Sequence, residues 1–180
     1  AKNTIVVLWT DHGFHIGEKQ NWEKFALWEQ TTRTPLFIHV PGVSKDGERT
    51  RQPATLTDLY PTLCDLAGLP VPDQCTGRSL APTLKHPAAI DERTSLTSFV
   101  FNGDGTAASH GISDADYRYI RYPDGFEELY DLTKDRGEFT NLATDPAFAA
   151  IKSKLAQAVP PDAAVDRGVP KDSPYNRPRR

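Results

Sequence analysis

The stretch that most limits the fold is TIVVLWTDHGF, residues 4–14, where an unbroken apolar run from Ile5 to Trp9 gives way at once to Asp11-His12-Gly13. Consecutive apolar residues without alternation read as a strand covered on both faces, of the kind buried in parallel α/β sheets. A second run, Thr34-Pro35-Leu36-Phe37-Ile38-His39-Val40, closes in Pro41-Gly42 and reads as the next strand. In open α/β sheets ligands bind beyond the carboxyl ends of the strands. An acid beside an imidazole at such an end is therefore the first place to look for chemistry.

The remainder of the chain sorts by periodicity and punctuation. Trp22 to Gln30 is a short helix or an ordered loop, and Ser44 to Pro53 is a polar connection. Thr55 to Gly68 predicts a helix: Leu59, Leu63 and Leu66 share one face, Thr57 or Asp58 caps the start, Pro61 sits in the first turn and Gly68 stops it. Leu69 to Pro87 is an irregular, proline-rich connection with a short helical piece at Ser79–Leu84, and Ser95–Phe101 reads as a strand. Tyr117–Tyr122 and Glu127–Leu132 flank the turn Pro123-Asp124-Gly125 as an antiparallel hairpin. Asp145 to Val159 places Phe148, Ile151, Leu155 and Val159 at helical spacing. From Pro160 onward proline and charge replace periodicity, and an extended or disordered tail is expected. The fold class is thus α/β: a sheet domain over residues 1–90, a small α+β subdomain with a hairpin and a C-terminal helix over 91–160, and a tail over 161–180.

Composition excludes some classes. A chain of 180 residues is long enough for one core and short for two. A formal net charge of −3 lacks the basic surplus that nucleic-acid binding needs, and the closing RPRR is too short to supply it. No apolar run approaches the roughly 20 residues of a membrane span, and no signal-peptide pattern opens the sequence. An entry straight into an apolar strand is what a chain cut from a larger α/β protein would also show. Cys64 and Cys75 have no metal-site spacing and fit either one disulfide or two thiols.

Two readings of Asp11-His12 are open. A carboxylate beside a neutral imidazole, with Gly13 letting the backbone leave the strand, suits a divalent cation that could polarise an anionic ester. The same pair can instead cap a turn. Lys24 offers a compact charge with three donors, suited to phosphate or sulfate oxygens, and Trp22, Phe25 and Trp28 suggest a partly covered setting for it. Lys19, Lys45, Lys134, Lys152 and Lys154 read as solvated surface groups.

The string DHGFHIGEKQNWEKFALWEQTTRTPLFIHVPG resembles the C-terminal half of a type I sulfatase catalytic domain, where Asp-His-Gly at a strand end is followed by Gly-Glu, Trp-x-Lys and an Arg-x-Pro-Leu strand. LTDLYPTLCDLAGLPVP, GRSLAPTL and RYIRYPDGFEELYDLTKDRGEFTNLA follow in the family's order, so the likeness runs from about Thr4 to Ala143. It is nearest to the iduronate-2-sulfatase-like branch. The resemblance implies an alkaline phosphatase-like fold, one calcium ion with Asp11 and His12 among its ligands, and Lys24 holding the sulfate group. It also implies a formylglycine made from the cysteine of a Cys-x-Pro-x-Arg motif. Neither Cys64 nor Cys75 begins such a motif, so the nucleophile and the remaining acids would come from an N-terminal portion of the same enzyme, and no turnover is expected of this chain alone.

His110 matches a position where related bacterial sulfatases carry Asn-His-Ala-Val-Arg and is a candidate substrate contact, although Ser113 stands where that pattern has Arg. His15 reads as a packing residue or a support for the metal motif, and Arg33 as a partner of Glu29 or a rim residue. Tyr117, Tyr119, Tyr130 and Arg118 read as cross-strand packing, and Asp131 and Asn141 as turn and capping residues. The leading expectation is sulfate-ester hydrolysis on a sulfated carbohydrate, in a periplasmic or secreted setting that the resemblance favours. A phosphomonoester or phosphonate hydrolase of the same superfamily and a non-catalytic sugar-binding or fold-completing domain are the alternatives.

Overall fold

The computed structural model describes residues 2–99 and 108–160. The last two residues of the strand expected at Ser95–Phe101 and the tail expected after Pro160 lie outside these. The elements run β1 (Val6–Trp9), β2 (His15–Ile16), β3 (Trp22–Glu23), α1 (Glu29–Thr32), β4 (Leu36–His39), α2 (Leu59–Leu66), α3 (Ala81–Lys85), β5 (Ser95–Phe99), β6 (Ser109–Ser113), β7 (Tyr117–Arg121), β8 (Glu127–Asp131) and α4 (Ala149–Ala156). Among the described residues they form an α/β arrangement with three antiparallel sheets: β1-β4, β2-β3 and the four-stranded β5-β6-β7-β8.

The four-stranded sheet carries the core. Its β7–β8 hairpin pairs Tyr117 with Asp131 and Arg121 with Glu127, as the alternating sequence predicts. Successive strand residues face opposite sides, so both faces must be covered for neighbours such as Tyr119 and Ile120 to be buried together. On one face Ile112, Tyr119 and Leu129 meet Leu155 and Val159, with Phe148 and Ile151 alongside. Asp145 caps the short turn Pro146–Phe148 that leads into α4, accepting a hydrogen bond from the Ala147 N–H at 2.9 Å. On the other face Ile120 and Tyr130 enclose Leu27, flanked by Trp28. Each of these large side chains contributes roughly 1.5–3 kcal/mol when fully buried. Asn141 closes the β8 edge: its Oδ1 accepts from the N–H of Leu129 and of Ala143, and its Nδ2 donates to the Glu127 carbonyl.

The β1–β4 pair departs from expectation. The strands run antiparallel, with Val6 opposite His39 and Trp9 opposite Leu36. They are not buried on both faces: Leu8 is 62% and Phe37 63% exposed. A parallel pair needs a crossover laid over the strands. Here the intervening chain forms short elements instead, and its Leu27–Trp28 portion packs on the four-stranded sheet.

The cap before α2 falls earlier than the expected Thr57 or Asp58: Thr55 caps the turn Leu56–Asp58 that leads into the helix, with the Asp58 carboxylate accepting from the Thr55 N–H at 2.9 Å, and the helix stops at Gly68, φ 68°, as expected. Its buried face, however, is Pro61, Thr62 and Cys64, while Leu63 on the leucine stripe is 38% exposed. The segment Gly77-Arg78-Ser79-Leu80 draws the neighbouring side, Asp58-Thr62-Asp65, inward. Arg78 N–H donates to Asp58, Leu80 N–H to the Thr62 hydroxyl, and Ser79 Oγ to Asp65. A Cβ on Gly77 would collide with the Thr57 carbonyl. Cys64 and Cys75 are free thiols.

Candidate active site

Beyond Trp9 the chain leaves β1, and Gly13 locks it against the residues before β4: Gly13 N–H donates to the Thr31 carbonyl at 2.8 Å. Any Cβ at Gly13 would strike the Gln30 carbonyl. The glycine is therefore needed for room between two backbones; its φ is not among the positive ones. This contact fixes Asp11 and His12 at the strand end.

His12 Nδ1 lies 2.7 Å from the Gly13 carbonyl oxygen. A carbonyl can only accept, so Nδ1 carries the proton and Nε2 keeps its lone pair. Lys24 Nζ is 3.0 Å from that Nε2, and Asp11 Oδ2 is 3.7 Å from it. Asp11, His12 and Lys24 are thus brought together from a strand end and a loop, with an oxygen and a nitrogen donor side by side and an ammonium against them. The donor pair fits part of a divalent-cation site, but the Nε2 lone pair here accepts from the Lys24 ammonium, so a cation would take that nitrogen only with Lys24 turned away from it. Among the described residues, no group of three or more His, Cys, Asp or Glu side chains could hold a metal ion.

The loop bearing Lys24 is held from behind by residues far along the chain. Lys19 lies 4.3 Å from the Trp28 ring centroid and 4.7 Å from that of Tyr130. Its Nζ donates to Tyr130 Oη at 3.2 Å and to the Glu138 carbonyl. Lys19 is thus a half-buried tie, not the solvated group its type suggests. Trp28 Nε1 donates to Glu128 Oε2 at 2.7 Å, and Tyr130 Oη donates to the same oxygen. Glu29 N–H donates to Glu138 Oε2 at 2.7 Å, and Arg118 Nε to the Leu27 carbonyl at 2.6 Å.

Arg118 does more than pack across the hairpin. Buried at 4% exposure, it also donates to Ser113 Oγ and lies 3.6 Å from Glu138 Oε1. Burial pushes the Arg118 guanidinium down and the Glu138 carboxyl up, the latter to about 7. Among the described residues Glu138 Oε1 has no hydrogen-bond partner. His15 is fully buried edge-on to Trp28, with ring centroids 5.8 Å apart, and its Nδ1 is 3.7 Å from Glu18. Arg33 pairs with Glu29 at 3.3 Å. His110 lies in β6 with Nδ1 2.8 Å from Ser98 Oγ; burial pushes its pKa down. Asp131 receives the Thr133 N–H and hydroxyl and the Lys134 ammonium, a turn-capping set.

The family model for N-sulphoglucosamine sulphohydrolase, C-terminal, matches residues 17–162. The chain belongs to this sulfatase family. It represents the C-terminal region of the type I, alkaline phosphatase-like group. It is 37% identical to a sulfatase of Formosa agariphila over 86% of this chain and 29% of that protein. A Delta 4,5-hexuronate-2-O-sulfatase of Bacteroides thetaiotaomicron is 36% identical over 84% of this chain and 33% of that protein. Among solved structures, a complex with D-glucosamine-2-N,6-O-disulfate superposes with TM-score 0.77 at 27% identity, over 87% of this chain and 33% of that one. The phosphonate monoester hydrolase of Silicibacter pomeroyi gives TM-score 0.73 at 30% identity, over 85% and 33%. The chain spans about a third of the length of these relatives. Among the described residues no helix is long and apolar enough to cross a membrane.

Proposed function

We propose that this chain supplies part of the active site of a sulfatase that hydrolyses sulfate esters of a sulfated carbohydrate, in the iduronate-2-sulfatase-like branch. The observation that carries this reading is the convergence of Asp11, the His12 Nε2 lone pair and Lys24. Asp11 and His12 would hold one side of a calcium ion, which supplies fixed positive charge to sulfuryl oxygens. Lys24 donates to an oxygen of the ester and stabilises charge that grows as the sulfur–oxygen bond breaks. His110 contributes a substrate contact. Residues 1–90 complete a catalytic α/β domain together with an N-terminal portion that provides the formylglycine and the remaining acids, and residues 91–160 form the subdomain that backs them. A periplasmic or secreted location suits a polysaccharide substrate.

Lys24→Ala in the full-length protein tests the assignment: sulfate release from a sulfated saccharide should fall by about 10²–10³ while folding is preserved. Unchanged release would refute it. The structural likeness to a phosphonate monoester hydrolase favours a second reading, hydrolysis of a phosphonate or phosphate monoester. Rates on matched aryl sulfate and aryl phosphonate esters separate the two. Absence of turnover on either, with retained sugar binding, would favour the non-catalytic reading.

A further inference from the structure

Lys24 is exposed, and its hydrogen bond to His12 does not fix the backbone from which it reaches. That backbone is strained. Four non-glycine residues among those described have positive φ: Lys19 at 52°, Gln20 at 57°, Glu23 at 73° and Glu138 at 56°. Three precede Lys24 within five residues, and the fourth lies across the interface and accepts a hydrogen bond from Lys19 through its own carbonyl. Left-handed backbone at residues with a Cβ is uphill and persists only where the surroundings over-determine it. Here the determinants are on both sides of the strained run. Lys19 is seated between the Trp28 and Tyr130 rings, and Leu27 and Glu29 are tied by their backbones to Arg118 and Glu138.

We propose that Lys19 and Glu138 are positioning residues for Lys24, closing a clamp between the C-terminal sheet and the 17–28 loop; this rests on the reading of Lys24 as the residue that binds the sulfate group. With the Lys19 ammonium removed, residues 19–23 relax toward ordinary backbone angles and the origin of the Lys24 side chain shifts. A displacement of about 1 Å in a group that acts on the reacting atoms costs about 10²-fold in rate.

The test uses the full-length protein with Lys19→Met, which keeps the apolar stem, Lys19→Arg, which keeps the charge, and Tyr130→Phe, which removes one acceptor. Amide exchange over residues 17–28, with α2 as internal reference, reads the clamp, and kcat and KM on an aryl sulfate read its consequence. Lys19→Met should speed exchange in 17–28 about tenfold without changing α2, and lower kcat roughly 10–10²-fold with KM nearly constant. Lys19→Arg should restore most of both, and Tyr130→Phe should reproduce the pattern at smaller amplitude, which covers the case that Lys19→Met does not fold. Unchanged exchange overturns the clamp, and faster exchange with undiminished kcat overturns its positioning role. Should Lys24→Ala leave sulfate-ester turnover intact while exchange still responds to Lys19→Met, the assignment of Lys24 as the sulfate-binding residue falls, and with it the catalytic half of this proposal, while the clamp stands.

Discussion

Glu138→Gln removes a buried charge while nearly preserving shape, so its effect on stability can be worked through pH. Burial is the largest cause raising the Glu138 carboxyl from 4.5 to about 7; the Arg118 guanidinium opposes the rise and the Glu29 carboxylate adds to it. Below the unfolded pKa both states hold the proton and no penalty applies. As pH climbs from 4.5 toward 7 the unfolded chain ionises first, so the folded state loses stability through that window and levels off above it. A shift of this size corresponds to about 3 kcal/mol. In Glu138→Gln nothing titrates at this position, while the cost of leaving buried Arg118 without its carboxylate enters as an offset. Denaturant unfolding of both proteins from pH 4.5 to 8 should therefore show the wild type falling by about 3 kcal/mol relative to the variant. Parallel profiles would refute the assignment of Glu138 as a buried, neutral-range carboxyl.

Gly13→Ala forces a Cβ into the Gln30 carbonyl and should destabilise by about 1–3 kcal/mol, with loss of the Asp11–His12 geometry visible as altered His12 imidazole NMR shifts. Asn141→Ala strips acceptors from the Leu129 and Ala143 N–H groups and a donor from the Glu127 carbonyl. A loss of roughly 2–3 kcal/mol is expected from thermal or denaturant unfolding, and a change below about 0.5 kcal/mol would show that water replaces the side chain.

What could be read from the sequence was local. The Tyr117–Leu132 hairpin, the α4 face, the Asp131 turn, the Glu29–Arg33 pair and the Asn141 cap all depend on neighbours within about fifteen residues, where period and turn chemistry carry the information. The pairing direction of β1 and β4 was not legible, because an apolar run records burial tendency and not orientation. The inward side of α2 was set by hydrogen bonds from Arg78, Ser79 and Leu80, which a leucine stripe does not reveal. The buried ties of Lys19, read as a solvated group, of Arg118, read as cross-strand packing, and of Glu138 were hidden for the same reason at greater range. Nothing in EKQNW, YRYIR or RGEFT taken separately marks a charge as buried, and the cluster exists only once the 17–28 loop lies on the sheet. At the site itself, Asp11 and His12 are adjacent by sequence, whereas the approach of Lys24 to His12 is a tertiary fact.

Among the described residues β1 and β4 pair only with each other, and a lone two-stranded ribbon is marginal in water. Asp11 and His12 lie between the end of that ribbon and the Gly13–Thr31 contact, so the ribbon is the weaker of the two supports that set their mutual geometry. Pairing of another strand along β1 would restrain the turn that carries them, and a ligand gripping both side chains would in return restrain β1. Sheet completion and ligand capture are then linked equilibria, each raising the other's constant by the same factor.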